Sequence, residues 1–159
     1  MGKLYLGIDQ GTTVTTALLL NEQWQVVGRG QKEHRQIFPQ PGWVEHDPVD
    51  IYESCLEAVR LALLQAHADP KDIYCIGMDH QGETCLLWDK RTGEPVYNAI
   101  VWQDRRTADI AEELKRTHGE RIRRITGMIP DSYYSATKLR WVIDNVTGVK
   151  ERIDRGELL

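Results

Sequence analysis

Apolar residues occupy every second position at the start of the chain. Successive side chains of a strand point to opposite faces of a sheet, so this alternation predicts a strand over residues 3–9. Runs of β-branched and apolar residues predict a second strand at 14–20 and a third at 24–30. With a tight turn at residues 9–13, the chain is predicted to open as a three-stranded meander.

The spacing of apolar residues changes after the third strand. Residues 33–46 carry two prolines and a glycine and predict a loop, which Trp43 is expected to anchor to the rest of the domain. Asp47 and Pro48 then form a helix start, with aspartate as the N-cap and proline at the first helical position. Apolar residues recur at helical spacing from there, which predicts a helix with one buried face that ends near residues 69–70.

The remaining chain alternates between short apolar runs and longer charged segments. The predicted strands are residues 73–78, 84–88 and 99–102. The predicted helices are residues 106–117, 119–126, 133–146 and 151–159. Strands followed by helices in this order favour an α/β domain with a mixed sheet.

Composition and charge narrow the class of protein. The 159 residues are 41% hydrophobic and 28% charged, which is typical of a folded domain. The net charge is −4 and the two signs are mixed along the chain, so neither nucleic acid nor a membrane surface is an expected partner. The first residues lack the long apolar stretch of a signal peptide or membrane span.

The three cysteines, Cys55, Cys75 and Cys85, are an odd number and lack metal-ligand spacing. Cys75 and Cys85 lie inside apolar runs, so we expect buried, reduced thiols. Reduced thiols are typical of the cytoplasm, which is the predicted location.

The predicted turn Asp9-Gln10-Gly11-Thr12-Thr13 is a candidate phosphate site. Gly11 permits a backbone shape in which successive N–H groups face an anion, and the two threonines add hydroxyl donors. Asp9 is placed at a strand end, where it could hold Mg²⁺, through water because Mg²⁺ retains much of its hydration. Phosphoryl transfer needs mainly positioning and charge neutralisation, and these residues could supply both.

A simpler interpretation of the same five residues is a hairpin turn between two strands. The Gly-rich patterns of P-loop proteins and dinucleotide-binding folds do not occur in the chain. Local sequence alone therefore leaves the phosphate site and the plain turn both open.

Longer segments carry a resemblance to a known family. These are LGIDQGTT, IFPQPGWVEHDP, IGMDHQGETCLLWDKRTGEPVYNAIVWQDRRTA, SYYSATKLRW and ERIDRGELL. In this order they resemble the amino-terminal region of the glycerol kinases, which belong to the FGGY carbohydrate kinases. The resemblance covers essentially the whole chain.

The resemblance implies a ribonuclease-H-like domain of the actin/hexokinase type, with a mixed five-stranded sheet flanked by helices. It implies transfer of a phosphoryl group from MgATP to a hydroxyl of glycerol or a related polyol. Residues 1–159 would be an incomplete amino-terminal domain, because the family's general base and its second, nucleotide-binding domain have no counterpart in this chain. We therefore expect no kinase activity from these residues alone.

The resemblance also implies roles for individual residues. Asp9 would lie near Mg²⁺ and the γ-phosphate, in a phosphate loop formed by Gln10, Gly11, Thr12 and Thr13. The implied substrate-binding residues are Gly82, Glu83, Trp102 and Tyr133. Glu83 would accept hydrogen bonds from substrate hydroxyls, Trp102 would contact the carbon skeleton, and Tyr133 would bind a further hydroxyl.

Two positions depart from the glycerol kinase pattern, in which arginines normally occupy the positions of Gly82 and Thr16. Gly82 removes a forked donor and leaves room, which favours relatives that act on larger sugars or sugar alcohols. A pentulose or other sugar as substrate therefore stays open, as does a non-catalytic polyol-binding module. Apolar surface exposed without a second domain would favour self-association into a homo-oligomer.

Overall fold

The computed structural model describes residues 2–159, which pack as two compact units. The first unit contains the residues up to Gln36 together with Asp47–Gln81, and the second contains Ile37–His46 and Gly82–Leu159. Each unit has a hydrophobic core of its own. No helix within residues 2–159 has the length and apolar character needed to cross a bilayer.

The strands and helices follow one another in an α/β order, as the sequence predicts. In chain order they are β1 (Leu4–Gln10), β2 (Val14–Leu20), β3 (Val26–Glu33), β4 (Glu45–His46), α1 (Pro48–Ala66), β5 (Ile73–His80), β6 (Ala99–Ile100), α2 (Ala108–Thr126), α3 (Ser135–Asn145) and α4 (Val149–Asp154).

The first unit is built on a mixed sheet with strand order β3-β2-β1-β5. β1, β2 and β3 form the expected antiparallel meander, and β5 pairs parallel to β1. The register places Asp9 beside Asp79 where β1 and β5 end. The fold class is confirmed, although residues 2–159 contribute four strands to this sheet where the resemblance implies five.

Helix α1 packs on one face of this sheet through a stripe of small residues. Ser54, Ala58 and Ala62 are buried there. Opposite them, β3 carries Gly28 and Gly30, where a Cβ atom would overlap the carbonyl oxygens of Ala62 and Ala58, respectively. The missing side chains let helix and strand backbones approach closely, and apolar residues of β1 and β2 fill the adjoining core.

The predicted start of α1 is confirmed. Asp47 Oδ1 accepts a hydrogen bond of 2.8 Å from the Val49 N–H, and Pro48 is the first helical residue. The helix ends at Ala66, before the predicted position, because His67 adopts a left-handed conformation with φ of 49°. Its N–H then binds carbonyl oxygens of the last helical turn, which terminates the helix.

Three sequence predictions are wrong in detail. Residues 106–117 and 119–126 were predicted as two helices, but α2 is continuous, since Gly119 is accommodated inside it without breaking the hydrogen-bonded ladder. Residues 84–88 form isolated bridges instead of a strand. Helix α4 covers only the first part of residues 151–159, because the following residues turn back and pair with the backbone of Trp88.

The expectation of buried cysteines is not met either. Cys75 is exposed, whereas Cys55 and Cys85 are half-buried, and all three are free thiols. The reason is that α1 packs mainly on β3 and β2 and does not cover the edge strand β5, where Ile76 and Met78 are also exposed. An apolar run in the sequence predicts a strand but does not tell whether that strand is central or at an edge.

Substitution of Gly30 tests the close packing of α1 on β3. Gly30→Ala should lower the free energy of unfolding by about 3 kcal/mol, because the new methyl group must displace the backbone of α1. Gly77→Ala is the matched control, since a Cβ there meets no atom within 4 Å. Chemical denaturation of both variants checks this, and equal stabilities would contradict the packing described.

Candidate functional site

In the first unit, the candidate phosphate residues form the turn between β1 and β2. Asp9 is exposed at the end of β1, and Gln10 is buried beside it. A Cβ at Gly11 would lie 3.0 Å from the Val14 carbonyl oxygen, tighter than an ordinary contact, so the turn does favour glycine. The Gly11 N–H donates to that same oxygen at 3.1 Å, so the intact turn uses one N–H that the phosphate hypothesis assigned to an anion.

Two glutamines hold this turn from neighbouring segments. Gln81, the residue after β5, donates from Nε2 to Gln10 Oε1 at 3.2 Å and to the Gly11 carbonyl oxygen at 3.4 Å. Gln36 Nε2 donates to the Thr12 carbonyl oxygen at 2.9 Å. The backbone of the loop is therefore fixed by side chains that lie 24 to 71 residues away in the chain.

An open depression of about 590 Å³ lies beside Asp9 on the sheet. Gly7 and Gly77 are paired on adjacent strands, and their missing side chains leave space there. The depression is also lined by Asp79 and by Arg29, a cation that the sequence analysis did not single out. The only sequence signal for Arg29 is its alternation in β3, which places it on the opposite face from Gly28 and Gly30.

In the second unit, Glu83 binds the start of α3. Its Oε2 accepts hydrogen bonds from the Ser135 N–H and the Ser135 Oγ, both at 2.7 Å. The residue before α3, Tyr134, makes no side-chain cap, so the Glu83 carboxylate satisfies an N–H that the helix itself leaves open. A carboxylate is electrostatically favourable at the positive end of a helix, so this contact stabilises the start of α3.

Trp102 and Tyr133 are in contact, with ring centroids 5.9 Å apart and an edge-to-face arrangement. Tyr133 in turn contacts Tyr134 at 5.1 Å. Gly82, next to Glu83, faces open space, because a Cβ there would meet no atom within 4 Å. The second unit thus contains all four predicted substrate-binding residues, and the first unit contains all five phosphate-loop residues.

Lys138 is a residue that the sequence analysis missed. It is fully buried, and its Nζ donates to the carbonyl oxygens of Glu83 at 2.5 Å and Tyr133 at 2.6 Å. Burial lowers the pKa of Lys138, and it raises the pKa of the nearby Cys85 thiol to about 11. The available signal was its helical spacing, since Lys138 lies four residues before the buried Val142 on the inner face of α3.

A buried arginine organises the segments around this site. The Arg106 guanidinium binds Asp104 through Nε and Nη2 at 2.9 and 2.8 Å, and Nη2 also binds Glu45 at 2.7 Å. The guanidinium carbon lies 3.8 Å from the ring centroid of Trp43 and 4.6 Å from that of Trp141. The first contact confirms Trp43 as the anchor of its loop. Burial acts to lower the pKa of Arg106, but hydrogen bonds to the carboxylates outweigh it and hold the pKa above its usual value.

Removal of the Arg106 side chain should strongly destabilise the second unit. Arg106→Met would leave Asp104 and Glu45 buried without a cation, which typically costs about 3–5 kcal/mol. The exposed pair Arg140–Asp144 supplies the control, because Arg140→Met should change stability by no more than about 1 kcal/mol. Urea unfolding of the two variants measures the free energy of unfolding that each has lost, and similar losses in both would refute the role given to Arg106.

The similarity of the chain to known proteins extends over almost its whole length. The sequence profile of the FGGY family of carbohydrate kinases, N-terminal domain, matches residues 4–158. Glycerol kinase 2 of Thermotoga maritima is 52% identical over 158 residues, which are 99% of this chain and 32% of that protein. The chain therefore spans about a third of the length of the relatives that it matches.

Solved structures give a consistent result. A glycerol kinase of Plasmodium falciparum, crystallised with ADP, superposes with a TM-score of 0.91 at 34% identity, covering 99% of this chain and 32% of that one. A ligand-bound xylulose kinase of Lactobacillus acidophilus superposes with a TM-score of 0.79 at 27% identity, covering 94% of this chain and 30% of that one.

Proposed function

The chain belongs to the FGGY family of carbohydrate kinases, and on that premise we propose that it forms the amino-terminal part of an ATP-dependent kinase for glycerol or a related polyol. A second, nucleotide-binding domain and the general base would lie outside these residues. The observation that carries the proposal is the carboxylate of Glu83, held at one oxygen by Ser135, which lies two residues after Tyr133 of the Trp102–Tyr133 ring pair.

This arrangement suits a neutral ligand that is rich in hydroxyl groups. Both donors from Ser135 bind Glu83 Oε2, so Oε1 is the oxygen that we expect to accept from a substrate hydroxyl. A carboxylate is a stronger acceptor than a neutral group, and it favours hydroxyl ligands over apolar ones of the same size. Trp102 would contact the carbon skeleton, and the Tyr133 hydroxyl would bind a second hydroxyl.

The turn in the first unit fits a magnesium–phosphate group. Asp9 supplies an exposed carboxylate oxygen, the kind of ligand that Mg²⁺ prefers, beside a depression that two glycines keep open. Mg²⁺ bound there would neutralise phosphate charge. Thr12 and Thr13 are the candidate donors to phosphate oxygens, and Arg29 adds a positive charge to the same depression.

A small molecule is thus the proposed partner, and neither nucleic acid nor a membrane enters the proposal. We also propose a cytoplasmic location and a homo-oligomeric state. The cytoplasm supplies ATP, and the exposed apolar residues Ile76 and Met78 would favour self-association of this chain alone.

A pentulose is the second candidate substrate. It is favoured by the open space at Gly82, where a larger sugar would have room, and by the structural likeness to a xylulose kinase. The identity with glycerol kinases over nearly the whole chain favours glycerol instead. Both candidates would undergo the same reaction, and Gly82 is the position that we propose distinguishes them.

Kinase activity should require the remainder of the FGGY length. Residues 1–159 alone are expected to show no turnover with MgATP and any polyol. The same residues, fused in frame to the corresponding remainder of Thermotoga maritima glycerol kinase 2, should phosphorylate a polyol in a coupled ADP-release assay. Turnover by residues 1–159 alone would contradict the first expectation. An inactive but folded fusion that still binds polyol would favour the non-catalytic module.

In the active fusion, Glu83→Gln tests the polyol site. The amide keeps the shape and an acceptor for Ser135 but loses the charge, so the KM for polyol should rise roughly 10- to 100-fold. Glu53→Gln is the control, because Glu53 is an exposed residue of α1 in the other unit. Equal KM values for the two variants would exclude Glu83 as a substrate ligand.

Gly82→Arg tests which substrate the pocket selects. The arginine should fill the open space and supply a forked donor, so the ratio of kcat/KM for glycerol to that for xylulose should rise by about tenfold or more. Gly82→Ala adds little volume and should leave the ratio nearly unchanged. If glycerol is already strongly preferred before substitution, the pentulose alternative is excluded.

A further inference from the structure

We propose that Lys138 is a positioning residue for the polyol pocket, whose Nζ holds the main chain of Glu83 and that of Tyr133 at a set separation. The inference rests on the proposed function, because the pocket is the one assigned to the polyol. Lys138 touches neither substrate nor phosphate in this account and acts only through the two residues that it joins.

The first argument is the cost of placing a lysine there. Its side chain is fully buried, although lysine is among the residues least often found inside proteins. Desolvation of an ammonium group is expensive unless hydrogen bonds and nearby charges compensate. Two carbonyl oxygens accept from Nζ, and the carboxylates of Glu83 and Asp104 and the thiol of Cys85 are the titratable groups near it.

The second argument is that the two acceptors of Lys138 Nζ belong to separate segments of the chain. Glu83 lies 55 residues before Lys138 in the chain and Tyr133 lies five residues before it, so a single nitrogen joins two separate segments. An apolar side chain of the same length would fill the volume but would leave both carbonyl oxygens unpaired. The contact therefore defines a distance between segments and does not merely fill space.

The third argument is that Glu83 is held at two points. Ser135 binds its carboxylate, and Lys138 binds its main-chain carbonyl, so both ends of the residue are tied to α3. Tyr133 contacts Trp102 and is tied by the same nitrogen. A shift of Lys138 would thus move the Glu83 carboxylate relative to the rings of Tyr133 and Trp102. A site that binds hydroxyl groups by hydrogen bonds tolerates such a displacement poorly.

The link itself can be measured in the unsubstituted chain. In ¹⁵N,¹³C-labelled protein, the Lys138 Nζ should show scalar couplings through hydrogen bonds to the carbonyl carbons of both Glu83 and Tyr133. Absence of either coupling would overturn the proposal. This measurement needs no variant to fold and no enzyme activity.

Lys138→Met then tests the positioning role in the chain. Protection of the Ser135 amide against hydrogen exchange should fall by about tenfold, while the Leu19 amide in the other unit and the Val142 amide within α3 change by less than about twofold. Lys150→Met, at an exposed lysine, is the matched control and should change none of them. A parallel fall at all three amides would show a merely structural role and overturn the proposal.

In the active fusion, Lys138→Met should raise the KM for polyol by about tenfold and leave the KM for ATP within about twofold. Equal effects on both substrates, or no effect, would overturn the positioning role. If the unsubstituted fusion phosphorylates no polyol, the proposed function fails instead. The scalar couplings and the hydrogen-exchange rates, which need no enzyme activity, then still decide whether Lys138 holds the two segments.

Discussion

The buried guanidinium of Arg106 is the interaction on which the second unit depends. A cation excluded from water must find acceptors, and Asp104 and Glu45 supply them from segments about 60 residues apart. The indole rings of Trp43 and Trp141 cover its faces, which draws the loop before β4 towards α3. Charge and packing therefore specify one arrangement of segments that have little regular secondary structure to align them.

The first unit is held together by close packing of backbones and not by buried charges. Gly28 and Gly30 allow α1 to lie directly on β3, and the alanines of the helix complete the contact. This packing leaves the opposite face of the sheet open beside Asp9, where the paired glycines Gly7 and Gly77 add to the space. In the proposed function, the room left by these two glycines would accommodate the phosphate groups of a nucleotide.

In the proposed function, each unit would contribute different groups to a phosphoryl transfer. One provides an exposed carboxylate, hydroxyl groups and a nearby cation at the end of a strand, and the other provides a carboxylate and aromatic rings at the start of a helix. Catalysis by FGGY kinases would be mostly positioning and charge neutralisation, since phosphoryl transfer asks for little covalent participation by protein groups. On that view, a buried side chain such as Lys138, which touches no substrate, would matter to the proposed pocket by holding its residues in place.

Sequence by itself determined the features that depend on neighbours along the chain. These include the alternation of β1 and β2, the Asp47–Pro48 start of α1, the turn at Gly11 and the membership of a kinase family. Tertiary structure decided the rest: the edge position of β5, the continuity of α2, and the burial of Lys138 and Arg106. The physical reason is that periodicity reports which face of an element is apolar, whereas the acceptors that make a buried cation tolerable come from distant segments, which only the folded chain brings together.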